Sequence, residues 1–257
     1  MNNYQFAVRE QEIFTDNLEN FHRDIAIPKR KVIIREDNNN ILGVVSSKYG
    51  LLKHEDVINA FEQALVGIEH QRMIKLNESG SSMFATFKLD NIKGEVEKGD
   101  FVSLQFVVKN SYDGSNALQV ILGAFRLVCL NGLVIGNKLF TYSQRHIGSG
   151  AEIQIATLRE KIDYLIAQFH NSIPLLSQMT QKTLREYPVG LFSSKIVSLP
   201  KYLLEKAAEQ FEKEENKTVW TYYNALTQAI THNLKKESPT AILEYGKIAW
   251  KVTNKLI

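Results

Sequence analysis

Near Gly148 the hydrophobic period of this chain changes. Before that point, short runs rich in Val, Ile and Phe alternate with turn residues, with one clear helical run among them. After it, apolar residues recur at helical spacing, as Leu158, Ile162, Leu165, Phe169 and Ile173 do. A period of two marks strands, and a period near 3.6 marks an amphipathic helix. Strands followed by a run of helices point to an α+β protein. The pattern predicts an α+β core domain over residues 1–148 and a helical C-terminal region over 149–257, packed on it.

Within the first part, Lys31 to Glu36 and Ile41 to Lys48 read as two strands joined by the Asp37–Asn40 turn, which is a hairpin signal. Pro28 ends the segment before them, where Asp16 to Phe21 has the look of a short helix. His54 to Leu65 carries Val57, Ile58, Phe61, Ala64 and Leu65 at helical spacing, and Gly67 stops it. Strands are expected over 71–76, 82–89 and 101–110. A helix is expected from Asn116 to Leu130, closed by Asn131-Gly132 as a left-handed cap, then a strand or hairpin edge over 133–142. Ser149 and Glu152 have the spacing of a capping box. Beyond a looser stretch at 187–200, further helices are expected over 201–214, 218–234 and 240–255.

The chain has 257 residues, 44% hydrophobic and 23% charged, the composition of a globular protein with a sizeable core. Its one cysteine, Cys129, lies in an apolar run, excludes an intrachain disulfide and fits a reducing compartment. The N-terminus lacks the pattern of a signal peptide, and the apolar stretch 117–135 is broken by Gln119, Arg126 and Asn131. A cytoplasmic protein without a membrane span is the expectation. The six histidines fall in no zinc pattern, and neither a phosphate loop nor a nucleophile elbow occurs. These readings point away from an enzyme and imply no cofactor.

Three segments carry a resemblance: Val44 to Asp56, Phe125 to Leu133, and Thr218 to Thr227 with His232 beyond. Together they resemble the phage/plasmid-like protein family, a domain of unknown function found on prophages and plasmids. The element order hairpin, helix, three-stranded antiparallel sheet, helix over 29–130 also resembles the core of phage single-strand annealing proteins. That likeness implies ring or filament assembly and nucleic acid held in a basic groove.

The net charge is only +3, so a polyanion site must come from clustering. Between Pro28 and Lys53 lie Lys29, Arg30, Lys31, Arg35, Lys48 and Lys53 against Glu36 and Asp37, a local excess of four. With Tyr49 beside them for base stacking, they form the minimum kit for single-strand binding. The same residues also suit a solvated hairpin edge guarded against aggregation. Arg126 sits in a run read as a buried helix, so it needs a phosphate or an internal carboxylate such as Asp56. Lys109 and Arg145 are candidates to extend a basic surface. In the last segment, Trp220, Tyr223, Leu226, Thr227, Ile230 and Leu234 share a helical face and read as core, with Tyr222 off that face. Asn224 and His232 read as a polar pair anchoring helix packing. Single-stranded nucleic acid and further copies of the chain are the expected partners. The other reading is an accessory protein that docks on a host defence protein.

Overall fold

A computed structural model describes residues 3–15, 25–126, 131–133, 141–144, 155–184, 192–193, 197–234 and 239–257. The protein is a mixed α+β fold with two antiparallel sheets and, among the described residues, five helices. The smaller sheet has three strands in the order β1 (Val8–Thr15), β2 (Ile25–Arg35) and β3 (Ile41–Ser46). Helix α1 (His54–Ala64) follows. The larger sheet runs β4 (Gln71–Leu76), β5 (Ser82–Glu97), β6 (Asp100–Ser111), β7 (Leu118–Arg126) and β8 (Asn131–Leu133), with β9 (Thr141–Gln144) also paired to β7. Helices α2 (Ile155–Gln181), α3 (Lys201–Glu212), α4 (Val219–His232) and α5 (Pro239–Thr253) complete the chain.

β3, α1, β4, β6 and the helices from α3 on stand close to their expected bounds, whereas β5 runs on to Glu97, eight residues past the expected 82–89. β1 was not anticipated, because its polar Arg9-Glu10-Gln11-Glu12 hides the alternation. β2 begins before Pro28 rather than after it. Residues 118–126 of the expected helix over 116–130 instead form a strand. β7 pairs with β6 over eight positions, from Val102 opposite Arg126 to Lys109 opposite Gln119. A strand with neighbours on both edges reads as an unbroken apolar run, which periodicity alone does not separate from a buried helix. Asn131 and Gly132 accordingly lie in β8 and do not cap a helix. The expected helix at 16–21, the capping box at Ser149 and Glu152, Cys129, Arg145 and the boundary at Gly148 lie outside the described residues.

One large hydrophobic core joins α1, one face of the larger sheet and the C-terminal helices. On β5, Met83, Ala85, Phe87 and Leu89 alternate toward it, and β6 adds Val102, Leu104, Phe106 and Val108. From α2 come Leu158, Ile162, Leu165 and Phe169, the stripe read from the sequence. Close approach of α2 to β5 is made possible by Gly94, where a Cβ would stand 2.4 Å from Ile173 Cδ1. Helix α4 is enclosed on nearly every side, so Tyr222 is fully buried rather than off the packed face, with its ring edge-on to Phe192 and Phe211. Trp220 Nε1 donates to Asp100 Oδ2 at 2.8 Å, tying α4 to the start of β6.

A second, smaller cluster holds the three-stranded sheet: Val8, Ile33, Leu42, Val45, Tyr49 and Tyr112. It sits where β6 leaves the larger sheet, and Gly43 makes the junction possible. A Cβ there would lie 2.4 Å from Asp113 Cα and 2.8 Å from the Tyr112 carbonyl oxygen.

Candidate nucleic-acid interface

The junction positions the basic hairpin. The Tyr49 hydroxyl donates to the Ser111 carbonyl at 2.6 Å, and the His54 backbone N–H donates to the Tyr112 hydroxyl at 2.7 Å. The His54 ring stacks on Tyr112 at 4.0 Å, with Phe6 edge-on to both. Its Nε2 faces the Gly80 carbonyl, which only accepts, so the proton resides there. Nδ1 then accepts from the Asn110 amide, which also donates to the Leu52 carbonyl. Burial raises the Asp113 carboxyl, yet hydrogen bonds from Ser115, Ser111 and Ser81 outweigh it and hold the pKa below the ordinary value.

Of the expected site residues, the structure brings three together. Glu12 opposes Lys31, but the next pair is Phe14 with Ala26, so one residue of β1 faces four of β2. Pro28 lies in that bulge, where its missing N–H costs no ladder bond. Lys29 adopts a left-handed φ of 61°, and its carbonyl accepts from the Ser47 N–H at 3.0 Å. Arg30 pairs across the ladder with Ser46. Lys29, Arg30 and Lys48 therefore gather at one end of the sheet, all exposed, with no carboxylate partner among the described residues. Between the Glu10–Glu12 and Ala26–Lys31 stretches runs an open cleft of about 430 Å³.

The others are placed differently. Lys31 is ion-paired to Glu10 at 2.8 Å. Arg35 forms a two-point pair with Asp37 at 2.7 and 2.8 Å and stacks over the Phe6 ring. The hydrogen bond between them raises the guanidinium and lowers the carboxyl from their ordinary values. Tyr49 is 8% exposed, and burial pushes its hydroxyl upward, so its ring is packing and not a surface for bases. Lys53 is exposed at the start of α1. Arg126 ends β7 opposite Val102, and Val102 lies nine residues from Ser111 along β6, about 30 Å at 3.3 Å per residue. It is remote from the cluster. Lys109 is buried over the Phe84 ring, with its pKa lowered first by burial and then by Lys247, so it extends no basic surface.

One residue at this end escaped the sequence reading. Phe14 is 48% exposed opposite Ala26, beside the bulge. Its signal, an apolar residue closing a polar strand, had no visible meaning before β1 was known. Asn224 is buried, and among the described residues neither of its amide atoms has a hydrogen-bond partner, so the expected polar pair with His232 is not formed by a hydrogen bond. Among the described residues, no group of three His, Cys, Asp or Glu side chains is placed to hold a metal ion, and no helix is long and apolar enough to cross a membrane.

No solved structure matches the chain. A family profile described as a domain of unknown function, DUF932, matches residues 41–245. The match takes in β3, α1, the larger sheet and most of the helices, and leaves out β1 and the β2 bulge. It covers well over half of the sequence, and this chain belongs to the DUF932 family.

Proposed function

We propose that this protein binds single-stranded nucleic acid at the bulged end of the three-stranded sheet, as a non-enzymatic recombination factor of phage or plasmid origin that anneals strands as an oligomer. The observation that carries the proposal is the set of three cations, Lys29, Arg30 and Lys48, without a carboxylate partner among the described residues, at the bulge whose far side pairs the exposed Phe14 with Ala26. Cations of this kind capture phosphates, and a solvent-facing aromatic offers a π-face to any base. Capture and exposure of bases need no bond-making step and no cofactor. The order β2–β3, α1, β4–β6 supports this reading, and β7 stands where the annealing-protein likeness calls for a helix.

The test is fluorescence anisotropy with a labelled single-stranded oligonucleotide over a salt series. Neutralising Lys29, Arg30 and Lys48 to Gln is expected to weaken binding and to reduce the log–log salt slope by about 2. Phe14→Ala is expected to weaken binding by about 1–3 kcal/mol per stacked base and leave the slope unchanged. Equal binding by wild type and the triple variant, or no binding at low salt, rejects the proposal. Docking on a host protein is the second reading, favoured by the exposed apolar side chains Val66 and Met73. Such binding would tolerate both the salt and the Gln substitutions.

A further inference from the structure

An antiparallel sheet that does not close leaves two edges, and proteins guard them with charge, proline or bulges because an open edge recruits another strand. In the three-stranded sheet the β1 edge is guarded by Arg9, Glu10, Glu12 and a bulge. The other edge, β3, reads Ile41-Leu42-Gly43-Val44-Val45-Ser46, with a bulge at Leu42 but no charged residue and no proline. No described strand pairs with its outer side. Ile41 and Val44 are 64% and 53% exposed, far above the burial of Leu42 and Val45 beside them. Both lie on the face turned away from the Tyr49–Tyr112 cluster, opposite Ile34 and Val32 of β2.

We infer that β3 is a self-association edge, on which a second copy of this chain lays its own β3 antiparallel to build one six-stranded sheet across a two-fold axis. A strand without charge gives a charged peptide nothing to recognise, whereas an antiparallel copy of itself is complementary by symmetry. Around Val44 the strand is regular, with Val44 on the outer face and Gly43 and Val45 on the cluster face, so residues of one face meet residues of the same face there, and the bulge at Leu42 confines that match to this stretch. Centring the axis on Val44 sets Val44 of one copy against Val44 of the other and Gly43 against Val45. The cations do not oppose this. Arg30 lies one strand inward, so the two β2 strands stand three strand spacings apart, about 14 Å, beyond the screening length of about 8 Å at physiological salt. A six-residue edge buries much less than the roughly 1,600 Å² of a standard interface, so the dimer forms and parts with concentration. This inference does not depend on the nucleic-acid reading, and its test contains no nucleic acid.

The experiment is sedimentation of the purified chain over a wide concentration range. The wild type is expected to rise from the monomer mass of 29.3 kDa toward twice that value, with Val44→Lys remaining at the monomer mass throughout. Because the Val44 side chain faces solvent, the lysine variant is expected to melt at the wild-type temperature, which separates lost association from lost folding. A second probe places Val44→Cys in a Cys129→Ser background. Paired Cα atoms on a two-fold axis fall within disulfide reach, so mild oxidation is expected to give a covalent dimer, while Val66→Cys, more exposed and far from the edge in sequence, is not. A wild type that stays monomeric, a lysine variant that associates equally, or equal cross-linking at both cysteines overturns the inference.

Discussion

Trp220→Ala is expected to destabilise the fold by about 3–5 kcal/mol, the range for emptying a buried Trp site. Trp220 has no exposed surface, packs at 6.2 Å from Tyr223, and carries the hydrogen bond that ties α4 to Asp100. Two losses add there. A cavity opens between α4 and the sheet, and a nearly buried carboxylate loses a donor. Trp220→Phe separates them, because it keeps most of the ring but not the N–H. Leaving a buried acceptor short of a partner costs about 1–3 kcal/mol, so the phenylalanine variant should fall between wild type and alanine. Urea denaturation at equilibrium measures all three. Wild-type stability in the alanine variant would remove the helix–sheet contact from the account of what holds the fold.

Gly43→Ala is expected to cost about 2–3 kcal/mol, at the upper end for overpacking. The added carbon meets backbone on both sides, at Asp113 Cα and at the Tyr112 carbonyl, and backbone there cannot swing aside. Either β3 lifts from the junction or the Tyr112–Asp113 turn moves, and each breaks contacts in the small cluster. Gly94→Ala is the internal comparison. Its new carbon meets only side-chain atoms, Cδ1, Cγ1 and Cγ2 of Ile173, which can shift where backbone cannot, so its cost should be lower. Thermal melting of the two variants decides the matter, and a Gly94→Ala loss equal to or larger than that of Gly43→Ala would contradict it.

The sequence revealed elements wherever one face alone meets the core. Helix α1 alternates Val57, Ile58 and Phe61 with polar residues, and β5 alternates Met83, Ala85 and Phe87, so each period was visible. β7 failed because it is a central strand, and an apolar run fits two structures equally. β1 failed for the opposite reason: its edge position lets charge fill the strand. For the candidate site, charge was readable but pairing was not. Lys31 and Lys29 are two residues apart, yet one is neutralised by Glu10 from a strand the pattern concealed, and the other is turned outward by a bulge. Tyr49 looked like a surface aromatic because it follows Lys48, and only the packing against Tyr112 shows otherwise.

Two hydrophobic clusters of such unequal size also divide the cooperativity of the chain. Among the described residues, the cluster under the three-stranded sheet has six buried side chains, whereas the larger sheet shares its far bigger core with the helices. Units with few buried contacts open at free energies below that of global unfolding. The amides of β2 should therefore exchange with deuterium sooner than those of β6, while the body of the molecule stays closed, and equal rates would make the chain one unit. Lys29, Arg30 and Lys48 stand on the part that opens first. A ligand that holds them would then be felt as slowed exchange in β2 and β3, so its binding free energy is written into the protection of a few amides and hardly at all into the melting of the larger core.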